Sequence, residues 1–254
     1  MVRLRFCLRC VWRTINPDRP KIVIAFLAST ALLGAAVYGW WRAGAPVNPL
    51  TASAHSSAVV VFDPAAPFTL DPPQPGWRHR KFWFTPPMQL SFSNVEGVAA
   101  LRCETNAGGS IYGRNIDIDL ARFPLLVWRW RVEVPIPARY DERERSGDDH
   151  PVRFYLEFRD SDDAAHRAEI IWSNSAFTRG DYKYIGTFPH YVADGGDANI
   201  GRWRDESADL EAIYRHITKR ADAARLTYLA VFCDSDNTKT RSVAYTAQTI
   251  LKAR

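Results

Sequence analysis

Acidic side chains are almost missing from the first 42 residues of this 254-residue chain, which hold Asp18 alone against seven basic residues. That stretch therefore carries +6 of a formal net charge of +5 and leaves the remainder at −1. A near-neutral remainder exerts no net pull on a phosphate backbone, which removes nucleic acid as a leading partner. Histidine is sparse and scattered, and no His-Glu-x-x-His occurs, so a zinc site has no support in the sequence. Gly109-Ser110-Ile111-Tyr112-Gly113 misses the spacing of a nucleophile elbow, and neither a phosphate-binding loop nor a dinucleotide fingerprint is present. No internal repeat is found. Cysteine is limited to four residues. Cys7 and Cys10 make one isolated Cys-x-x-Cys, a weak metal or redox signal. Cys103 and Cys233 lie in expected strands, where a disulfide and burial as small apolar side chains both fit.

What is present near the start is a run of twenty residues without a formal charge, Ile22 to Trp41. At about 1.5 Å per helical residue it matches a hydrocarbon core of roughly 30 Å. Tyr38, Trp40 and Trp41 gather at its far end, where amphipathic rings favour the lipid–water interface. With the basic flank held inside, residues 1–21 are expected in the cytoplasm and residues 22–41 as a transmembrane signal anchor of the inner membrane. Residues 42–58 then read as a tether and 59–254 as a periplasmic domain. Cleavage and secretion to the periplasm is the alternative, with Ala43-Gly44-Ala45 and Ala52-Ser53-Ala54 as candidate sites.

Aromatics are abundant, with nine Trp, ten Tyr and thirteen Phe, which favours strands. In Leu126–Glu133, Leu126, Trp128, Trp130 and Val132 alternate with Val127, Arg129, Arg131 and Glu133. In Val152–Arg159, Phe154, Leu156 and Phe158 alternate with Arg153, Tyr155, Glu157 and Arg159. Period-two alternation puts one face of each strand in a core and the other outside, the habit of antiparallel sheets. Further strands are expected over 79–84, 88–93, 98–104, 111–118, 167–173, 182–188, 226–234 and 242–251. One helix is expected, capped by Asp205 or Ser207 and burying Leu210, Ile213, Tyr214 and Ile217. The resulting fold class is all-β: a jelly-roll-like antiparallel β-sandwich with one short packed helix.

Several blocks also resemble a known family. Gly76-Trp77-Arg78-His79-Arg80-Lys81-Phe82, Trp128-Arg129-Trp130-Arg131-Val132, Asp141-Glu142-Arg143 and Gly147-Asp148-Asp149-His150-Pro151-Val152-Arg153 are similar to successive blocks of a bacterial family catalogued as a domain of unknown function, DUF3047. Trp172-Ser173, Gly201-Arg202-Trp203 and Asp234-Ser235-Asp236-Asn237-Thr238 come next in the same order. Where the family pattern has Gly-Asp after the Tyr245 strand, this chain has Thr246-Ala247-Gln248-Thr249. The resemblance covers about Gly76 to the C-terminus. It implies an exported sandwich domain and no established activity.

Three groups of residues carry candidate chemistry. If the strands around Arg129 and Arg153 are neighbours, Arg129, Arg131, Arg153, Tyr155 and Glu157 form a polar platform, flanked by loop residues Asp148 and Asp149, for a glycan or other envelope polysaccharide. Used as an acid/base pair, Asp148 or Asp149 with Asp234 or Asp236 points instead to a glycoside hydrolase or lyase. Asp234, Asp236 and Asn237 are weak ligands for Ca²⁺, since the segment lacks the glycine and the closing glutamate of an EF-hand. Non-catalytic glycan binding is the leading expectation; an assembly partner of the envelope is the structural alternative. Trp128 and Trp130 are expected in the core because they share a face with Leu126 and Val132.

Overall fold

A computed structural model describes residues 49–254. The expected cytoplasmic segment and membrane anchor, with Cys7 and Cys10, lie outside the described residues. Among the described residues no helix is long and apolar enough to cross a membrane.

In chain order the strands are β1 (Leu50–Thr51), β2 (Ala58–Phe62), β3 (Trp77–Lys81), β4 (Gln89–Val95), β5 (Val98–Asn106), β6 (Gly109–Asp119), β7 (Leu125–Val134), β8 (Arg153–Arg159), β9 (Ala165–Ser173), β10 (Tyr182–Ile185), β11 (Phe188–Gly195), β12 (Arg204–Asp209), β13 (Arg225–Asp234) and β14 (Arg241–Lys252). Among the described residues a single α-helix, α1 (Leu210–Thr218), separates β12 from β13. The larger sheet has the order β1-β6-β13-β8-β9-β11-β10, with β3 sharing the β1 edge of β6. The smaller has the order β12-β7-β14-β5-β4, with β2 added to β14.

The inward-facing residues of the two sheets close one core. Trp128 and Trp130 of β7 meet Phe154 of β8 at 5.3 and 6.1 Å between ring centroids, and Trp172 of β9 lies 6.0 Å from Trp130. All four are buried, as the alternation predicts for β7 and β8. Cys103 of β5 and Cys233 of β13 form a disulfide, 130 residues apart in sequence, that joins the two sheets through this core. Residues 49–254 thus hold their own core, a complete pair of sheets and a covalent bond between them, the attributes of a unit that folds alone.

Four details depart from the sequence reading. Asp205 and Ser207 do not cap the helix; they lie in β12, which supplies the open edge of β7 with hydrogen bonds. Asp209 caps α1 instead, accepting from the Ala212 N–H at 3.0 Å. The expected strand 182–188 is a hairpin of β10 and β11, turned at Gly186 with a φ of +61°. Pairing is not wholly antiparallel, because β11 runs parallel to β9 and β1 parallel to β6. Leu50 and Thr51, inside the stretch expected as a tether, already pair with Ile116 and Asp117.

β13 lies at the middle of the large sheet and shapes its outer face. Its sequence Leu-Thr-Tyr-Leu-Ala-Val-Phe-Cys is apolar on both faces, the mark of a strand covered on both sides. Leu229, Val231 and Cys233 enter the main core, whereas Tyr228, Ala230 and Phe232 form a second apolar cluster with Ile111 and Tyr155 on the outer face.

Candidate functional site

Strand register aligns one row of residues across seven strands on that outer face: Arg78, Gly113, Ala230, Tyr155, Glu169, His190 and Lys183. Gly113 is required in the middle of the row, since a Cβ there would come within 2.2 Å of the Ala230 Cβ. At the β8–β11 end the row opens into a pocket of about 350 Å³. Its floor holds Asp148, Arg153, Glu169, His190 and Asp234, and its apolar walls include Tyr155, Phe188 and Phe232.

Two loops converge over this floor. Asp149 accepts from the N–H and the Nδ2 of Asn237, both at 3.2 Å, and from the N–H and Oγ1 of Thr238, both at 2.6 Å. The His150 N–H donates to Asp234 Oδ1 at 3.0 Å. Beneath them, fully buried Glu142 accepts from Ser173 Oγ at 2.7 Å and from the N–H groups of Asn174, Ser175 and Ala176, tying the 141–150 loop to the end of β9. Gly147 lets the loop close, because a Cβ would sit 2.3 Å from the Asp141 carbonyl oxygen.

The charged floor is one connected network. Arg153 Nη1 donates to Glu169 Oε2 at 2.7 Å, while Nη2 donates to Asp234 and to the Asp148 carbonyl. Lys183 Nζ donates to Asp148 Oδ1 at 2.5 Å and to His150 Nε2 at 2.9 Å. His150 then places its proton on Nδ1, facing the Trp172 carbonyl at 2.8 Å. His190 Nε2 stands 3.3 Å from Glu169 and 3.8 Å from Asp148, and its Nδ1 has no hydrogen-bond partner among the described residues.

Burial and neighbours separate these groups in pKa. Burial holds His150 down at about 4, helped by the Lys183 charge. Burial pushes Asp234 up to about 8; Arg153 opposes this, but its single charge is shared with Glu169 and Asp148, and Asp149 adds repulsion. Asp148 and Glu169 go the other way. Burial would raise both, yet the Arg153 and Lys183 charges hold Asp148 far below the usual carboxylate range, and Arg153 with His190 lowers Glu169. The floor thus presents ionised and protonated carboxyl groups side by side.

The structure divides the residues singled out by sequence. Arg153, Tyr155 and Glu157 lie on the outer face of the large sheet, with Asp148, Asp149 and Asp234 beside them. Arg129 and Arg131 do not join them. Their strand, β7, belongs to the small sheet, so its outer side chains point away from the opposite side of the sandwich. There Arg129 pairs with Asp205 at 2.7 Å, and Arg131 with Glu96 at 2.7 Å and Glu133 at 2.9 Å. A wider hollow of about 580 Å³ on that face is lined by Asp63, Arg129, Asp205 and Gln248. It lacks the buried charged floor of the first pocket, which is why the smaller one is the candidate site.

Asp149, Asp234 and Asp236 bring carboxylate oxygens within 4.8 Å of one another. Both oxygens of Asp149 and of Asp234 already accept hydrogen bonds from protein groups, and the Asn237 amide nitrogen is turned to Asp149. The grouping is a hydrogen-bonded double turn rather than an open oxygen shell of the kind Ca²⁺ takes. Glu169, Lys183 and His190 were not singled out from sequence. Glu169 shares the parity of Arg167 on an alternating strand, a usable signal; the parallel pairing that sets His190 beside it leaves none.

Residues 75–250 match the profile of a family described as "Protein of unknown function (DUF3047)". No curated protein sequence matches the chain. Solved structures are similar at low identity. The enzymatically active domain of bacteriophage CBA120 tailspike protein 4 shares 10% identity at a TM-score of 0.35, over 69% of this chain and 19% of that one. The xyloglucanase domain of a type three effector from Sinorhizobium fredii, in complex with cellobiose, shares 12% identity at 0.36, over 70% and 93%. Endoglucanase 3 from Trichoderma harzianum, family GH12, shares 9% identity at 0.36, over 80% and 100%. At TM-scores below 0.5 these likenesses carry no argument about activity.

Proposed function

The chain belongs to the DUF3047 family, and from that premise we propose that the pocket on the outer face of its large sheet binds a segment of glycan. The observation that carries this reading is the pocket's composition: fixed, mutually hydrogen-bonded polar groups on the floor and aromatic walls from Tyr155, Phe188 and Phe232. Sugar hydroxyls pair with rigid acceptors and donors, and sugar C–H faces pack on rings. Both terminal nitrogens of Arg153 are committed to protein oxygens, so the pocket suits a neutral sugar better than an acidic one.

Calorimetric titration of residues 49–254 with peptidoglycan fragments and with neutral and acidic exopolysaccharide fragments tests the reading. Saturable binding is expected, weakened roughly 2- to 12-fold by Tyr155→Ala or Phe188→Ala, the range of aromatic contact energies. Absence of heat with every fragment rejects it. One observation favours a second reading, cleavage of the bound glycan: Asp234 is held protonated and Asp148 ionised at one pocket, the separation an acid/base pair needs. Product analysis of the same mixtures decides between them, with Asp234→Asn abolishing any cleavage. Export beyond a membrane spanned by residues 22–41 remains part of the proposal, and the Cys103–Cys233 disulfide supports an oxidising compartment.

A further inference from the structure

Among the described residues five large apolar side chains are exposed, and three of them are consecutive: Phe82 at 37%, Trp83 at 88% and Phe84 at 102%. They form the turn after β3. The base of this turn is pinned. The Phe82 ring meets Phe232 edge-on at 5.8 Å, the Gly109 N–H donates to the Pro86 carbonyl at 2.8 Å, and the Met88 N–H donates to Ser110 Oγ at 3.0 Å. Phe84 has a φ of +62°, a region that large L side chains rarely occupy. The turn is therefore held with both tip rings in water.

Charge along this segment of the chain has one sign. From Trp77 to Met88 the chain carries Arg78, Arg80 and Lys81 and no acidic residue. Arg78, Arg80 and Lys81 are all exposed, and Arg80 lies over the Tyr155 ring, 3.8 Å from Glu157. A consecutive aromatic tip on a cationic stem complements a surface that is anionic at the headgroups and apolar beneath. Indole favours that boundary, and basic residues are drawn to anionic lipid.

We propose that the Phe82–Phe84 tip docks the domain onto a bilayer containing anionic lipid, with Trp83 and Phe84 entering the interfacial zone and Arg78 and Lys81 meeting the headgroup phosphates. Trp83 and Phe84 lie outside the lining of the glycan pocket. Two copies meeting tip to tip would bring like charges together.

Co-sedimentation of residues 49–254 with vesicles of phosphatidylcholine, with and without phosphatidylglycerol, is the test. Partition onto the anionic vesicles is expected, falling as salt rises. Trp83→Ser/Phe84→Ser should lower it at least about tenfold, and Lys81→Ser about fivefold, from roughly 1 kcal/mol per basic residue near an anionic surface. The urea midpoint should stay unchanged in both variants, because the altered side chains are exposed. Failure to sediment with anionic vesicles, or sedimentation that the double variant retains, overturns the proposal. So does a double variant that loses glycan binding or shifts a concentration-dependent mass while lipid binding persists.

Discussion

Arg153 is 2% exposed and holds Glu169 and Asp234 by its two terminal nitrogens. Its removal leaves Glu169 charged and buried with only His190 beside it, whereas Asp234 is already held neutral near pH 7 by burial. Two substitutions should therefore differ in cost. Arg153→Met is expected to destabilise the domain by about 3–5 kcal/mol, the penalty for orphaning a buried charge. Asp234→Asn keeps a neutral group of the same shape and should cost about 1 kcal/mol. Denaturant unfolding at neutral pH compares them, and equal costs would show Asp234 to be ionised. The sequence shows Arg153, Tyr155 and Glu157 on the polar side of an alternating strand, but a residue's parity says nothing about which sheet its strand joins. That is why Arg129 and Arg131, equally polar and equally spaced, end on the opposite outer face.

At the scale of elements, β7 and β8 are legible because alternating burial imposes period two on their side chains. β12 is not. Arg-Asp-Glu-Ser-Ala-Asp has little strand propensity and is extended because the open edge of β7 needs a hydrogen-bonded neighbour. β5 and β13 are extended in both readings, and only their juxtaposition makes Cys103 and Cys233 a disulfide. Closing a loop of this length stabilises by about 4–5 kcal/mol in the chain-entropy account. Cys103→Ser/Cys233→Ser should lower the urea midpoint accordingly, and a reductant should do so in the parent and not in the variant. A midpoint indifferent to both would place the sheets' cohesion entirely in the Trp128–Trp130–Phe154–Trp172 core.

For the whole molecule the buried network predicts an unusual dependence of stability on pH. His150 titrates near 4 when folded and near 6.5 when unfolded, so the unfolded chain binds the extra proton and stability falls as pH drops from about 6.5 to 4. Asp234 has the opposite sign. Its folded value of about 8 lies above 3.8, so its contribution is complete below 3.8 and is lost as pH rises through 8. The two slopes oppose each other between about 4 and 6.5. Between about 6.5 and 8 Asp234 acts alone and stability should decline. Below about 4 the loss should be steep, since Glu142, Asp148 and Glu169 are all held below their ordinary values and must take up protons. Urea midpoints measured across this range check the shape. In Asp234→Asn the alkaline decline should vanish and the His150 slope should emerge between about 4 and 6.5; an unchanged profile would contradict the assignment.

Taken alone, the amino-acid sequence determined the all-β class, the burial of Trp128 and Trp130, the helix around Ile213 and the family, because alternation, aromatic content and ordered motif blocks are local or additive properties of a chain. The tertiary structure alone decided which polar faces meet. Sheet membership, the parallel β9–β11 pairing and the clasp between Asp149 and Thr238 join residues about 20 to 90 positions apart, at contacts whose selection depends on packing the two sheets together. The charged floor exists only once that packing has excluded water from it.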